Sequence, residues 1–231
     1  MDYRKPAVFG ENWSSSRYEV LPYFAVERCV FARPDIRRVL EIGCGNGWNM
    51  SRFRQYGHVA FGLDTVPARV ELALDHGPAL LGDGRQLPFA NSSLDLIYIQ
   101  HVLHHIGDIE QALTEVLRCL RPGGILFLVE TVEDNPIIRW GRRLHPSWLG
   151  DEINASFTFA QLAGQLAGSG FRVQQAGQYS VLFWLWEILP DQFPDLEGLT
   201  PYVVPLEKAL QRAGRQYSAH CYLMAEKESF G

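Results

Sequence analysis

The sequence has few of the features that mark a secreted or metal-binding protein. Its 231 residues include only four cysteines, and no two of them form a C-x-x-C pair. Such scattered cysteines argue against a disulfide framework and against a cysteine zinc site. We therefore expect reduced thiols, no metal and a cytoplasmic protein. The four positions are Cys29, Cys44, Cys119 and Cys221.

Long stretches of apolar residues and long stretches of basic residues are also absent. No apolar stretch reaches the length of a transmembrane helix, and residues 1–6 contain no apolar signal core. The formal net charge is −5 without a long basic run, which argues against nucleic acid as a partner. Peripheral contact with a membrane and the oligomeric state stay open.

Apolar segments that alternate with helical patterns dominate what is present. Apolar residues make up 47% of the chain, which is enough for a sizeable core. The alternation predicts an α/β protein with a mostly parallel sheet covered by helices on both faces. Gly123-Gly124 is expected to end the third helix of the core. Strands are predicted at 37–42, 58–63, 78–81, 94–99, 124–130, 170–173 and 221–225, and helices at 47–56, 67–75 and 108–120.

The most specific motif is V-L-E-I-G-C-G-N-G at residues 39–47. An apolar strand ends in glycines at every second position, where the backbone can take positive φ or lie against a ligand. A dinucleotide-binding G-x-G-x-x-G loop would need its third glycine at position 48, which is Trp48. The spacing, together with Glu41 before the loop, argues against a nicotinamide cofactor.

Four further motifs follow in order. Asp64 ends the second apolar run about 20 residues after the loop, where an acid can accept both ribose hydroxyls. The others are G-D-G-R at 82–85, L-H-H-I at 103–106 and L-R-P-G-G at 120–124. Together the five motifs resemble the class I S-adenosylmethionine-dependent methyltransferases, in particular the small-molecule type 11 group. The resemblance extends from about residue 13 to 227 and is strong from 39 to 130.

This resemblance implies a Rossmann-like sheet of seven strands, the last of which lies antiparallel between its neighbours. It implies S-adenosylmethionine as cofactor and S-adenosylhomocysteine as product. It also divides the chain into an N-terminal helical cap, residues 1–36, and a methyltransferase core, residues 37–231. Two aromatic-rich insertions, at about 133–156 and 179–216, are candidates for a substrate lid.

Eleven residues are candidate cofactor ligands by this resemblance. Structural alternatives stay open: an ordinary turn for the glycines, a helix cap for Asp64, a turn for Asp83 and a solvated helix face for Arg17. The candidates are Arg17, Glu41, Gly43, Cys44, Gly45, Gly47, Asp64, Thr65, Asp83, Gly84 and Gln100.

His101 and His105 are the candidate catalytic residues, because an imidazole titrates near neutral pH and they follow the fourth strand. Structural roles for the histidines of this stretch, including His104, stay open. We expect a methyl transfer to an O-, N- or C-nucleophile of a hydrophobic small molecule, aromatic or lipid-like.

An exocyclic amine or amide acceptor is disfavoured. Enzymes that methylate these groups carry an Asn/Asp-Pro-Pro-Tyr/Phe loop where this chain reads I-Q-H-V at 99–102. The alternatives are a cyclase or decarboxylase that keeps the cofactor, an inactive cofactor-binding scaffold subunit and, on fold alone, a nicotinamide dehydrogenase.

Overall fold

A computed structural model of the chain describes residues 22–144, 155–181 and 200–228. Some sequence predictions lie outside these ranges. They are Arg17 with the rest of residues 1–21, and the aromatic residues Trp148, Phe183, Trp184, Trp186 and Phe193 of the two predicted insertions.

Seven strands of the described chain form one sheet in the order β3-β2-β1-β4-β5-β7-β6. The first five pair in parallel, and β7 lies antiparallel to both of its neighbours. The predicted sheet with an antiparallel last strand is therefore confirmed. The strands are β1 (Arg38–Ile42), β2 (Val59–Asp64), β3 (Ala79–Leu81), β4 (Leu94–Gln100), β5 (Leu120–Thr131), β6 (Phe171–Tyr179) and β7 (His220–Lys227).

Helices cover both faces of the sheet. Among the described residues, no helix is both long and apolar enough to cross a membrane. The helices are α1 (Pro22–Phe31), α2 (Trp48–Gln55), α3 (Pro67–Ala73), α4 (Ile109–Cys119), α5 (Pro136–Leu144), α6 (Phe159–Gly168) and α7 (Thr200–Ala213).

Two apolar clusters hold these layers together. On one face, α4 and α6 bury residues such as Val116 and Leu162 against the sheet. On the other face, α1 and α2 contribute an aromatic cluster that includes Tyr23 and Phe53. The central strand β4 is buried over Leu94–Ile99 because both faces of a parallel sheet are covered.

The end of α4 differs from the prediction. The helix stops at Cys119, and Leu120 already has an extended backbone and starts β5. Gly123 and Gly124 therefore do not cap the helix. They lie inside β5, where its register against β4 is irregular; Gly123 has φ +70°, and a Cβ on Gly124 would lie 2.8 Å from the Arg121 carbonyl oxygen.

The strand order reverses between β1 and β4. The chain builds β1, β2 and β3 outward to one edge and then returns to place β4 on the other side of β1. Neighbouring connections leave in opposite directions at such a point, which opens a crevice at the carboxyl ends of the strands. The glycine loop follows β1, and residues 101–105 follow β4, at this crevice.

We expect Gly43→Ala to prevent stable folding, whereas Gly45→Ala is tolerated. A Cβ on Gly43 would lie 2.1 Å from Cγ2 of Val102, but a Cβ on Gly45 would meet no atom of the described residues within 4 Å. Both glycines have positive φ, so backbone strain of about 1–2 kcal/mol is common to the pair and only the clash differs. Thermal unfolding of the two variants is the measurement; equal melting temperatures would contradict the packing of this loop.

Candidate functional site

The glycine loop after β1 is hydrogen-bonded to the end of β2. The N–H groups of Gly43 and Cys44 donate to the Leu63 carbonyl oxygen at 2.7 and 3.1 Å. The Gly45 N–H donates to Oδ2 of Asp64 at 3.0 Å. These bonds fix the loop at the switch point of the sheet.

The three glycines of this loop all have left-handed backbones, with φ of +73° at Gly43, +54° at Gly45 and +83° at Gly47. Their surroundings differ. Gly43 and Gly47 are packed against Val102 and Ala73, whereas the Cβ direction of Gly45 is open. Gly45 therefore leaves room for a ligand beside the loop backbone.

Asp64 joins the loop to the start of α3. Its buried carboxylate accepts the Gly45 N–H through Oδ2 and the Val66 N–H through Oδ1, the latter at 2.9 Å. Each oxygen can accept one more hydrogen bond, because an ionised carboxylate has about four acceptor positions. Asp64 thus supports the backbone on both sides and keeps acceptor capacity for ligand hydroxyls. Thr65, next to it, is exposed.

Glu41 is a buried acid at the end of β1. Its Oε1 accepts from Nδ2 of Asn49 at 2.7 Å, while Oε2 has no hydrogen-bond partner among the described residues. Burial raises the pKa of Glu41 to about 8, with Asn49 and Arg52 lowering it and the charges of Asp64 and Glu27 raising it further. Glu41 is therefore a buried carboxyl with one oxygen bonded and the other unpaired within the described part of the chain. Burial also raises the pKa of the Cys44 thiol, which keeps it protonated.

Gln100, at the end of β4, is linked to Glu41 through the same asparagine. Its Oε1 accepts from Nδ2 of Asn49 at 2.9 Å, and its Nε2 lies 3.4 Å from the Tyr23 hydroxyl. The amide orientation of Gln100 is therefore defined. Two predicted ligands from different strands are brought into one network.

Asn49 in turn is held by a buried ion pair. NH1 of Arg52 donates to Oδ1 of Asn49 at 2.9 Å, and NH2 donates to Oε2 of Glu27 at 2.5 Å. The Tyr98 hydroxyl donates to the other Glu27 oxygen. Sequence reasoning missed Asn49, Arg52 and Glu27. The spacing of Asn49 and Arg52 on the helix after the loop was the one signal available.

The loop after β3 carries Asp83 and Gly84. Gly84 is buried, and a Cβ there would lie 3.1 Å from Cγ2 of Ile42, so this loop lies beside the end of β1. The Asp83 carboxylate accepts from the Arg85 guanidinium and from the Arg85 N–H, and the side-chain hydrogen bond lowers the pKa of Asp83. Asp83 is 41% exposed, which leaves it accessible to a ligand.

The three histidines after β4 have different surroundings. His104 is buried, and its Nδ1 donates to Oε1 of Glu130 at 2.6 Å. Burial alone would raise the pKa of Glu130, but the hydrogen bond and charge of His104, with the charge of His101, lower it overall. His104 therefore has a structural partner. His105 is exposed, with its ring 4.0 Å from that of His104.

His101 has a strained backbone at the exit of β4, with φ +52°. Its ring contacts His220 of β7 edge-on at 5.2 Å, and the His220 ring stacks on Tyr179 at 5.4 Å. Tyr179 is buried at the end of β6 and lies 5.3 Å from the Tyr23 ring. Strained non-glycine backbones cluster at functional sites. The aromatic and imidazole rings form a wall next to Gln100.

Most predicted residues are thus collected at one end of the sheet, at the carboxyl ends of β1 to β4. Asp64 is hydrogen-bonded to the glycine loop through the Gly45 N–H, and Glu41 and Gln100 are linked to each other through Asn49 on the helix that follows the loop. Among the described residues there is no group of three or more His, Cys, Asp or Glu side chains suited to a metal ion.

Comparison with known proteins places this arrangement in a family. A family profile described as "Methyltransferase domain" matches residues 40–128. The chain is 30% identical over 180 residues to a protein of Mycolicibacterium smegmatis named a probable S-adenosylmethionine-dependent methyltransferase. The aligned region covers 73% of this chain and 63% of that protein. The chain spans 36–63% of the length of the curated relatives compared.

Solved structures share the fold. A S-adenosylmethionine-dependent methyltransferase of Archaeoglobus fulgidus superposes with a TM-score of 0.65 at 15% identity, covering 88% of this chain and 91% of that chain. The [4+2]-cyclase SpnF superposes with a TM-score of 0.63 at 20% identity, covering 89% and 82%. Residues 40–128 thus match the methyltransferase-domain family, and the chain shares the fold of the class I S-adenosylmethionine-dependent methyltransferases.

Proposed function

We propose that the protein transfers a methyl group from S-adenosylmethionine to a nucleophilic atom of a hydrophobic small molecule. The observation that carries this proposal is the site at the end of β1. There, within the described residues, the left-handed Gly45 beside Asp64 has open space in its Cβ direction, and one oxygen of the buried Glu41 carboxyl has no hydrogen-bond partner.

The residues present suit the methionine and ribose parts of the cofactor. The amino group of the methionine part is a cation that can donate to Oε2 of Glu41, which needs a donor. The ribose hydroxyls can donate to the acceptor positions left on Asp64. Gly45 allows the ligand to approach the loop backbone, and Cys44, Gly43 and Gly47 shape that loop.

The adenine part is assigned to the loop after β3. Asp83 is accessible and ionised, so it can accept from an exocyclic amino group, and the Gly84 backbone lies beside Ile42. Thr65, which is exposed next to Asp64, is proposed as a further contact of the cofactor. Arg17 lies outside the described residues and remains a prediction for the cofactor carboxylate.

When bound, S-adenosylmethionine supplies an electrophilic methyl group on a sulfonium. The protein's contribution is to hold an acceptor in line with that group and to exclude water, which can account for a large part of the rate. Gln100, the last residue of β4, and His101, which follows it, lie next to the wall of rings formed by Tyr23, Tyr179 and His220. This wall favours a planar or apolar acceptor molecule.

We assign His101 as the candidate base that takes a proton from the acceptor onto a ring nitrogen, with His105 as the second candidate. The position of His101 at the exit of β4 and its strained backbone support this choice. His105 is exposed, where a proton acceptor is less protected from water.

Release of S-adenosylhomocysteine distinguishes this proposal from a non-methylating enzyme. The likeness to a cyclase concerns the fold alone, and a cyclase or decarboxylase would convert its substrate without consuming cofactor. The experiment is to incubate the protein with methyl-labelled S-adenosylmethionine and fractionated apolar metabolites. Transfer of label with equimolar S-adenosylhomocysteine supports the proposal. Turnover of a metabolite without either product would replace it with the alternative.

Replacing Asp64 with Asn should weaken binding of S-adenosylhomocysteine at least tenfold. The amide loses acceptor positions that serve Gly45, Val66 and the ribose, and each charge-assisted hydrogen bond contributes about 1.5–3 kcal/mol. Titration calorimetry measures the affinity, with the exposed Glu71→Gln on α3 as control. Unchanged affinity in the Asp64 variant would remove this residue from the site.

Binding of S-adenosylhomocysteine should tighten as the pH rises toward 8. Below that pH, Glu41, whose pKa is raised to about 8, is protonated and offers no charge to the ligand's ammonium group. We expect the dissociation constant to rise by up to about tenfold per pH unit below pH 7, and Glu41→Gln to abolish this dependence.

The same substitution, Glu41→Gln, also tests how ionisation of Glu41 affects the stability of the ligand-free protein. Because the pKa of Glu41 is raised in the folded state, ionisation of this carboxyl lowers the free energy of unfolding. This destabilisation is absent below about pH 4.5 and complete above about pH 8. Glu41→Gln should therefore raise the melting temperature at pH 8 and leave it nearly unchanged at pH 4. A dissociation constant of the wild type that is constant from pH 6 to 8 would contradict the assignment of Glu41.

Once an acceptor is identified, His101→Ala should lower kcat by about 10²- to 10⁴-fold at neutral pH, because general base catalysis contributes that much. The affinity for S-adenosylhomocysteine should stay within a few-fold of the wild type. His105→Ala is the matched variant and should have the smaller effect. A decrease of only a few-fold with an unaltered pH profile would show that His101 is not the base.

A further inference from the structure

A buried polar chain connects α1 to both strands that frame the candidate site. It runs from Glu27 through Arg52 to Asn49, and Asn49 then reaches Glu41 and Gln100. Glu27 is completely buried, and the Arg52 side chain is 14% exposed. This series of hydrogen bonds therefore links α1 to the Glu41 carboxyl, whose Oε2 has no hydrogen-bond partner among the described residues.

The direction of each hydrogen bond in this chain is determined by Arg52. A guanidinium can only donate, so the Asn49 atom that it contacts at 2.9 Å must be the oxygen. The two hydrogens of Asn49 Nδ2 then point toward Glu41 and Gln100, whose oxygens lie at 2.7 and 2.9 Å. With the amide reversed, an oxygen would face both of these acceptors.

Arg52 itself is held in place from several sides. Its NH2 is bound by the Glu27 carboxylate at 2.5 Å. Its guanidinium carbon lies 4.6 Å from the centre of the Phe24 ring and 4.8 Å from that of Trp48. The carboxylate and the aromatic faces favour one orientation of the planar guanidinium.

We propose that Arg52, anchored by Glu27, is a positioning residue for the cofactor site: it orients the Asn49 amide, which aligns the Glu41 carboxyl toward the amino group of the methionine part. This inference rests on the proposed function, because it concerns the cofactor that the function requires. Arg52 acts through Asn49 and does not itself contact the ligand. Glu27 makes the site depend on α1.

The test compares two ligands. S-adenosylhomocysteine carries the amino group that Glu41 would bind, whereas 5′-methylthioadenosine has the adenosine part and lacks the amino acid. A variant that disturbs positioning should weaken binding of the first ligand and leave the second unchanged. A residue with only a structural role would affect both ligands alike, or affect only the melting temperature.

The informative variant is the double replacement Glu27→Gln with Arg52→Met. It removes both charges together, because a single replacement would leave a buried charge without its partner. Methionine can occupy the space between the aromatic rings but cannot donate to Asn49. We expect a folded protein with S-adenosylhomocysteine affinity lowered about 10- to 100-fold, and methylthioadenosine affinity within twofold.

Arg54→Gln is the matched control, since Arg54 is on the same helix and exposed. It should change neither affinity. Asn49→Asp is a second variant of equal size that replaces the two donating hydrogens with an acceptor. It should reduce S-adenosylhomocysteine affinity at least as much as the double variant, again without affecting methylthioadenosine.

A measurement on the wild type covers the case in which both variants fail to fold. Hydrogen exchange of residues 22–31 should slow when S-adenosylhomocysteine binds and should change less with methylthioadenosine. Equal protection of α1 by the two ligands, or wild-type selectivity in a folded variant, would overturn the inference alone. Failure of the wild type to bind either ligand would instead overturn the proposed function.

Discussion

The buried carboxyl of Glu41 at the end of β1 is the constraint on which the rest of the site depends. Burial disfavours its charge strongly enough to raise its pKa to about 8, and Asn49 satisfies only one of its two oxygens. An arrangement of this kind costs stability in the empty protein and is favourable once a cation arrives. This is the basis of our proposal that Glu41 receives a positively charged group of the ligand.

The sheet supplies the geometry around that carboxyl. Reversal of strand order between β1 and β4 opens the crevice, and the loop after β1 is tied to the Leu63 carbonyl and to Asp64. Gly43 is needed for packing, whereas Gly45 faces open space. Two residues of one motif thus have separate physical roles: Gly43 in the fold and, in the proposed function, Gly45 beside the ligand.

Local pattern was sufficient for much of this architecture. Buried parallel strands appear in sequence as apolar runs, so β1 to β5 and the loop could be predicted within a few residues. The end of α4 was predicted within one residue, but the capping role given to Gly123-Gly124 was wrong, because both glycines lie inside β5. The partnership of Glu27 with Arg52 could not be predicted, since it spans 25 residues and exists only when α1 packs on α2.

The central claim is that the end of β1 binds the methionine and ribose parts of S-adenosylmethionine, and a crystal structure with S-adenosylhomocysteine tests it most directly. The account predicts the ligand's amino group within hydrogen-bond distance of Oε2 of Glu41, its ribose hydroxyls on the Asp64 carboxylate, and its backbone contact at Gly45. A ligand bound elsewhere, or one that leaves Glu41 without a donor while its amino group contacts other residues, would contradict the account.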